Sequence, residues 1–294
     1  GSLSAAGGLG ILIPPSITMV VYAVAADASV IRLFLAGFLP GFLLMGLFSG
    51  YIIWWSLRHP DKVPPPEPPC SFWEKLRRSG SLIPCGLLIV FIVWVLVAGI
   101  ATATECAAWG VVGSLAIAAA GRSLTWQNFW QGLVGATRVS CMIMFILAGA
   151  AFLTKTMAFT GIPRELAEFV QGLNLSAYGL IAVLVVVYLI LGTALDGISM
   201  IVLTSAVVLP MVQKAGFDLV WFGIFIIMLI EIAEITPPVG FNLFVLQNMT
   251  GVDSNRIARM TLPFFGCMIL AIVLITVFPG IVTSVPNWFM GLER

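Results

Sequence analysis

Long apolar runs dominate this sequence and leave few choices of fold. A membrane-spanning helix needs roughly 20 mostly apolar residues, and seven stretches meet that requirement. They cover about residues 5–26, 33–57, 80–100, 103–121, 137–158, 219–248 and 260–284. Only 9% of the residues are charged, and the mean hydropathy is +1.10, whereas soluble domains carry roughly 25% charged residues. The sequence therefore predicts an all-α polytopic membrane protein.

An eighth apolar stretch, about 176–212, is broken near its middle by Gly192-Thr-Ala-Leu-Asp196-Gly197. Each half is too short for a comfortable span, so the pattern predicts a re-entrant hairpin with its tip near Gly192. A carboxylate at mid-membrane costs roughly 2.5–3.5 kcal/mol and needs a partner. Asp196 is therefore either the N-cap of the second arm, or a cation ligand or a group that shapes a substrate cavity.

The charge pattern excludes several functions. Basic and acidic residues nearly balance, 14 against 13, and no basic stretch alternates with aromatic residues. A nucleic-acid partner would lack its electrostatic footprint. The only histidine, His59, lies in a charged loop, so an intramembrane Ser-His or zinc-protease site has no histidine available. We expect neither an enzyme nor a bound cofactor.

The orientation in the bilayer follows from one basic loop. Residues 58–79 contain five basic side chains around a proline-rich stretch, and cytoplasmic loops carry an excess of such residues. We expect this loop in the cytoplasm. Counting crossings then places the start of the chain inside, the segment 160–173 at the outer surface and the hairpin entering from outside. Position 1 is Gly rather than Met, and we expect a fragment of a longer protein.

Two proline pairs form an internal repeat. Pro14-Pro15 and Pro237-Pro238 each interrupt an apolar run, and each precedes a second run that contains Pro40 or Pro263. The spacing is 40 − 14 = 26 in the first unit and 263 − 237 = 26 in the second. Crossing parity orients the two units oppositely, which is the arrangement of many secondary transporters. The repeat predicts an inverted pair of discontinuous helices.

The interruptions offer two interpretations. A proline pair frees carbonyls that lipid cannot satisfy, so the hydroxyls of Ser16 or Thr236 and neighbouring helices satisfy them, or the unwound turns bind a cation. Glu231 and Glu234 precede the second pair and share a helix face. They line the same cavity, share a proton or satisfy polar groups of a neighbouring helix.

Two other patterns predict structure rather than chemistry. Glu105 follows Thr102 at the start of a span, where its simplest role is to cap the helix N-terminus. Gly37-xxx-Gly41 and Gly46-xxx-Gly50 predict close helix contacts.

Four sequence blocks resemble one transporter family. They are Ala6-Gly-Gly-Leu-Gly-Ile-Leu-Ile-Pro-Pro-Ser16, Thr102-Ala-Thr-Glu105, Gly192-xxx-Asp196 and Ile235-Thr-Pro-Pro-Val-Gly-Phe-Asn-Leu-Phe244. Together, in this order, they are similar to the large permease subunit of tripartite ATP-independent periplasmic (TRAP) transporters, over nearly the whole chain. Two positions depart from the family pattern: Ala103 stands where Pro is usual, and Glu234 where many members have a neutral residue, which could alter ion coupling.

The resemblance implies an inverted-repeat, elevator-type symporter in a bacterial or archaeal inner membrane. It implies Na⁺-driven import of an organic acid delivered by a periplasmic binding protein, together with a small membrane subunit and without ATP. When the binding residues of the family are carried over to the matching positions, the substrate- and ion-binding residues implied are Gly8, Gly10, Pro14, Pro15, Ser16, Gly192, Asp196, Thr236, Pro237, Pro238 and Gly240. By the same resemblance we expect Na⁺ to be held by the unwound turns around Pro14 and Pro237 and by the hairpin tip, with Glu231 and Glu234 as possible coupling residues.

The resemblance also divides the chain into segments. In order, they are a discontinuous helix of the transport domain (1–30), scaffold helices with the loop 58–79 (31–122), a scaffold helix and an arm helix (123–175), the hairpin (176–212), a second discontinuous helix (213–250) and a C-terminal scaffold helix (251–294). Two alternatives stay open. One is a Na⁺ or H⁺/dicarboxylate symporter or antiporter that needs no binding protein, and the other is a channel or structural membrane subunit.

Overall fold

The fold is helical throughout the part of the chain that the structure describes. This computed structural model describes residues 2–63, 71, 73–74, 79–161, 165, 176–192, 195–236 and 241–291. Within them lie twelve α-helices: Ser2–Leu12 (α1), Ile17–Ala26 (α2), Val30–Arg58 (α3), Ile83–Val97 (α4), Ala103–Ala120 (α5), Trp126–Thr160 (α6), Ala177–Leu191 (α7), Gly197–Lys214 (α8), Leu219–Glu234 (α9), Phe241–Thr250 (α10), Ser254–Val277 (α11) and Gly280–Gly291 (α12).

Five of these helices are long and apolar enough to cross a membrane, namely α3, α5, α6, α8 and α11. The pair α1 and α2 meets the same requirement together and is bent by 48° at its break. The prediction of an all-α protein with several membrane-spanning helices is therefore confirmed.

The count differs from the seven predicted crossings, because one apolar run gives a helix shorter than a span and another divides into two helices. The run 80–100 yields only the 15-residue α4, which ends where Gly99 takes a φ of 66°; a left-handed residue there terminates a helix. The run 219–248 divides into α9 and α10, and the run 260–284 continues past Pro279 into α12.

The predicted hairpin also differs in one respect. Its first arm, α7, has 15 residues, but its second arm, α8, has 18 and is long enough to span. The prediction that both halves are too short to span is therefore wrong for α8. The extra length comes from Pro210, which the helix accommodates in its last turns instead of ending there.

The chain forms two compact units, Gly1–Ile52 with Ile143–Arg294, and Ile53–Met142. In the first unit, α9 is the central helix and packs against α1, α2, α7, α8, α10, α11 and α12. Asp218 caps its start by accepting hydrogen bonds from the backbone N–H groups of Val220 and Trp221, at 2.8 and 3.0 Å. Every residue from Val220 to Glu234 is buried, as expected of a helix that is apolar all round.

The two sequence repeats, each a proline pair followed by a second apolar run, correspond to similar elements within the first compact unit. In each, a broken apolar run leads into a longer helix with an internal proline, Pro40 in α3 and Pro263 in α11. These two longer helices meet through the edge of Phe264, whose ring centroid lies 5.4 Å from Phe48 and 5.3 Å from Tyr51. The opposite orientation of the two units stays a prediction.

Glycines of α3 bring it against the first break. A Cβ atom added to Gly37 would lie 2.7 Å from the carbonyl oxygen of Leu12, and one added to Gly41 would lie 2.9 Å from Ile13 Cγ1. Among the described residues, a Cβ on Gly46 or Gly50 would meet nothing within 4 Å. The prediction of close packing therefore holds for the first glycine pair only.

The second unit is built around the helix pair α4 and α5. Gly110 leaves room for the side chain of Ile92, and Gly113 for that of Leu88. The rings of Phe91 and Trp109 meet edge to face, with centroids 6.5 Å apart. The N-terminus of α5 is closed by a capping box, in which Glu105 accepts hydrogen bonds from the backbone and hydroxyl of Thr102 at 2.8 and 2.9 Å. The capping role predicted for Glu105 is confirmed.

Candidate functional site

The C-terminal turn of α9 carries both acidic residues predicted to line a membrane site. Glu231 is 0% exposed and Glu234 is 8% exposed. Within the described part of the chain, neither carboxylate oxygen of Glu231 has a hydrogen-bond partner. An uncompensated charge in such surroundings costs several kcal/mol or more. This carboxyl group therefore needs a cation or a proton while it is buried.

The helix α1 approaches this carboxyl group through a glycine. A Cβ atom on Gly8 would lie 2.9 Å from Oε2 of Glu231 and 3.0 Å from its Cδ. Only a residue without a side chain lets the α1 backbone come so close without displacing the carboxylate. Gly8 therefore sets the distance between α1 and the acidic turn of α9.

The segment between α7 and α8 reaches the same turn through two further glycines. A Cβ on Gly192, at the end of α7, would overlap the Cβ of Ala233. A Cβ on Gly197, at the start of α8, would lie 2.6 Å from Ile230 Cγ2 and 3.2 Å from Oε1 of Glu234. The backbone of Gly197 also donates a hydrogen bond to Glu234. The first turn of α8 thus supplies a partner for one of the two buried acids.

Asp196 takes the first of its two predicted roles, since it is the N-cap of α8. Its Oδ2 accepts hydrogen bonds from the backbone N–H groups of Ile198 and Ser199, both at 3.2 Å, and its Oδ1 accepts one from the Ser199 hydroxyl. Unlike the two glutamates, Asp196 is exposed. Capping and ligation of an ion are compatible, because a carboxylate has about four lone-pair sites.

The two breaks use their hydroxyl groups differently. The Oγ of Ser16 accepts a hydrogen bond from the N–H of Met19 at 3.4 Å and so caps α2. Accepting this bond leaves the hydroxyl hydrogen of Ser16 available, so its donation to a freed carbonyl stays a prediction. The hydroxyl of Thr236 donates to the carbonyl of Ile232 at 2.6 Å. The carbonyls that Pro237 and Pro238 would free are those of Ala233 and Glu234, so the predicted role of Thr236 stays a prediction.

The structure brings Gly8, Gly192, Glu231 and Glu234 together, with Asp196 beside them as the N-cap. Gly10 lies apart, on an exposed part of α1, where an added Cβ would meet nothing within 4 Å. Pro14 packs against Gly37, where the added Cβ would lie 3.5 Å from its Cδ. The predicted site residues Pro237, Pro238 and Gly240 lie outside the described residues, as do Thr193 and most of the predicted arm segment 160–173.

Sequence reasoning missed two residues of this turn, Gly197 and Ala233. The sequence contains an indication of each residue: Gly197 follows Asp196 directly, and Ala233 is the small residue between the two glutamates. Small residues beside polar ones in an apolar helix mark a close contact between helices.

The donor atoms around the turn favour a hard ion. Among the described residues, no three His, Cys, Asp or Glu side chains gather closely enough to hold a metal ion. What the turn offers is carboxylate and backbone oxygen, and oxygen donors suit hard cations, whereas soft metals prefer sulfur or nitrogen. The oxygens of Glu231, which have no hydrogen-bond partner among the described residues, therefore suit a proton or a hard cation rather than a soft metal.

The spanning helices and the broken α1–α2 pair define a multi-pass membrane protein with an acidic, glycine-lined turn in its core. Over residues 1–281, the chain matches the family described as the tripartite ATP-independent periplasmic transporter, DctM component. The chain belongs to this family, whose members are transporter permeases rather than enzymes.

Several relatives are similar along nearly the whole chain. The C4-dicarboxylate TRAP transporter large permease protein DctM of Pseudomonas aeruginosa is 34% identical over 98% of this chain and 67% of its own length. The protein of the same name from Vibrio cholerae is 31% identical, over 100% and 69% respectively. The isethionate TRAP transporter permease protein DctMQ of Oleidesulfovibrio alaskensis is 30% identical, over 98% and 45%. The chain thus spans about two thirds of the two C4-dicarboxylate permeases and less than half of the third protein.

Proposed function

We propose that this chain is part of the large permease of a Na⁺-coupled importer of organic acids in a bacterial inner membrane. The permease takes its substrate from a periplasmic binding protein and works with a small membrane subunit. Family membership and relatives named for C4-dicarboxylates, isethionate and 2,3-diketo-L-gulonate support the substrate class.

One observation supports the coupling step: the buried carboxyl group of Glu231, which has no hydrogen-bond partner among the described residues, lies where α1 and the α7–α8 segment both rest on α9. A site that leaves a carboxylate without a partner favours whatever brings positive charge to it. In our proposal, Na⁺ supplies that charge when bound, and Glu231 with backbone oxygens of the adjoining turns would hold it.

The chain's own residues then explain how ion and substrate depend on each other. Gly8, Gly192 and Gly197 allow three helix ends to close on the acidic turn, and closure excludes water from Glu231. Unless a cation or a proton compensates Glu231, closure buries a bare charge. In our proposal Na⁺ is the compensating ion, so the closed arrangement is favoured when Na⁺ is bound. The substrate carboxylate gains from the same compensation, because it enters a region that already holds Glu231 and Glu234.

The movement that follows is an elevator step in this proposal. The α7–α8 segment is a re-entrant hairpin, and with α1, α2, α9 and α10 it forms the moving body, whereas longer helices such as α3 form the scaffold. The burial of every side chain of α9 from Val220 to Glu234 supports its place at the centre of a body that moves as one piece.

The test is uptake by the complete transporter in proteoliposomes, with succinate as substrate. We expect uptake to require both an inward Na⁺ gradient and the binding protein. Glu231→Gln keeps the shape of the side chain but removes the charge, and we expect it to lower Na⁺-driven uptake about 10-fold or more, the effect of losing one charge-assisted contact. Glu165→Gln, at an exposed glutamate, is the matched control and should leave uptake unchanged.

The other outcomes identify the alternatives. Uptake without the binding protein would favour a direct symporter. Uptake that follows a proton gradient instead of Na⁺ would contradict Na⁺ coupling and would make Glu231 and Glu234 the candidate proton carriers. Non-saturable flux without any gradient dependence would favour a channel.

A further inference from the structure

The other end of α9 also meets polar side chains, far from the acidic turn. Asp218 and Glu231 are 13 residues apart, which corresponds to roughly 20 Å along a helix. At the Asp218 end, the junction of α2 with α3 and that of α8 with α9 line an open cavity of about 560 Å³. A second cavity of about 400 Å³ lies beside Asn287 of α12. Both volumes are within the range that binds small molecules.

Arg32, in the first turn of α3, lines both cavities. Within the described part of the chain, its Nε atom is buried without a hydrogen-bond partner. Buried polar atoms almost always have partners, so an unsatisfied guanidinium donor beside a cavity calls for an explanation. A ligand that accepts hydrogen bonds provides one.

The chemistry of Arg32 selects the ligand. The planar guanidinium presents its N–H groups as a fork that matches the two oxygens of a carboxylate. We propose that Arg32 binds a carboxylate group of the transported organic acid in this cavity, which makes the cavity a capture site separate from the acidic turn. This inference rests on the proposed function for the identity of the acid, but not on Na⁺ coupling.

The other charged groups of the cavity keep this binding weak. Asp27 and Asp218 line the same cavity, and Oδ1 of Asp218 is already engaged with the N-terminus of α9. The two carboxylates outnumber the one guanidinium, so the side chains that line the cavity carry a net negative charge. Only the guanidinium of Arg32 attracts an organic anion there. A site on a transport path must release its ligand, and weak binding suits passage.

The test measures access to the cavity and not transport. Gln213 lines the cavity, and Gln213→Cys provides a reporter in the complete transporter after replacement of its native cysteines, of which this chain contributes five. The purified protein is labelled with the negatively charged 2-sulfonatoethyl methanethiosulfonate and with the neutral methyl methanethiosulfonate. The labelling rate of the neutral reagent depends on access alone. The rate of the negatively charged reagent divided by that of the neutral reagent therefore reports the local charge.

We expect Arg32→Gln to lower this rate ratio and to weaken the protection that succinate gives, raising the succinate concentration needed for protection about 10-fold. Arg32→Lys keeps the charge without the fork, so it should retain the rate ratio and lose most of the protection. Asp27→Asn should raise the ratio, because it removes a negative charge from the lining of the cavity. Asn suits this position, since it tolerates the left-handed backbone there, where φ is 50°. Arg259→Gln, at an exposed arginine of α11, should change nothing.

An unchanged rate ratio and unchanged succinate protection in Arg32→Gln would overturn the inference. Because labelling needs neither Na⁺ nor the binding protein, the two proposals fail separately. Na⁺-independent uptake would contradict the proposed coupling and leave the labelling result standing. Na⁺-dependent uptake with Arg32-independent protection would contradict only the capture site.

Discussion

The helices α9 and α6 each contain a long apolar run, and these runs have opposite surroundings. Every residue of α9 from Val220 to Glu234 is buried. In α6, an 18-residue apolar window within Trp126–Leu153 has no buried residue at all. Lipid and protein interior are equally apolar, so hydrophobicity by itself does not decide which helix is covered by its own chain.

Glycine contacts account for the difference. Three glycines from neighbouring helices meet the C-terminal turn of α9, and within α9 the glycine at 223 admits the ring of Tyr22. The glycines of α6, at 132, 135 and 149, would each meet nothing within 4 Å among the described residues if a Cβ were added. A glycine therefore indicates packing only where a partner helix uses the space. The same distinction marks the functional turn, because each glycine that meets α9 there lies next to an acid or to Ala233.

The largest effect is expected at Gly192. Gly192→Ala would force its new Cβ into that of Ala233, and overpacking of this kind costs about 1–3 kcal/mol. Because each kcal/mol lowers the Tm by about 2–4 °C in a chain of this size, the Tm in detergent should fall by several degrees. Na⁺-driven uptake should fall with it.

The matched controls separate the contact from the substitution. The double variant Gly192→Ala with Ala233→Gly removes the overlapping methyl group and should recover most of the lost Tm. Gly135→Ala in α6 meets no neighbour and should raise helix stability by about 0.5–1 kcal/mol. Equal losses for Gly192→Ala and Gly135→Ala would show that the contrast between α9 and α6 is not real.

Local signals predicted the local structure well. Pro14-Pro15 divides an apolar run into α1 and α2, the break at Gly192–Gly197 separates α7 from α8, and Thr102 with Glu105 forms a capping box. Each of these features depends on backbone donors and acceptors within a few residues, so a short sequence window contains its cause.

The position of a helix within the unit was not predictable in the same way. The central place of α9 depends on seven other helices that touch it, and a long apolar run also occurs in the exposed α6. Gly8 and Gly10 belong to one motif, yet they point in different directions because two residues of an α-helix are about 200° apart. Which of them meets Glu231 depends on how α1 is rotated about its own axis, and packing sets that rotation.

An intermediate effect is expected from the tryptophans of the two helices. In α9, Trp221 is 2% exposed and donates a hydrogen bond from Nε1 to the carbonyl of Ile275 at 2.9 Å. Trp221→Phe loses this bond and should cost about 1 kcal/mol, read as a lower Tm in detergent. In α6, Trp130 is 54% exposed, so Trp130→Phe should stay within about 0.5 kcal/mol of the parent. A larger loss at Trp130 would mean that α6 is covered in the complete transporter.

The smallest expected effect tests the comparison inside a single helix. Gly8→Ala places a methyl group 2.9 Å from Oε2 of Glu231, and we expect a net loss of about 0.5–1 kcal/mol, because the carboxylate end yields only partly in a buried site. Gly10→Ala meets nothing and should be stabilising by a similar amount, since alanine favours the helix. The two substitutions are chemically identical and two residues apart, so their opposite Tm shifts would establish which face of α1 meets the acid.

Addition of Na⁺ should then raise the Tm of Gly10→Ala as it does that of the parent, but raise that of Gly8→Ala less, because only Gly8 adjoins the proposed ion ligand. Equal Na⁺ responses in both variants would separate Glu231 from ion binding and leave it a purely structural acid.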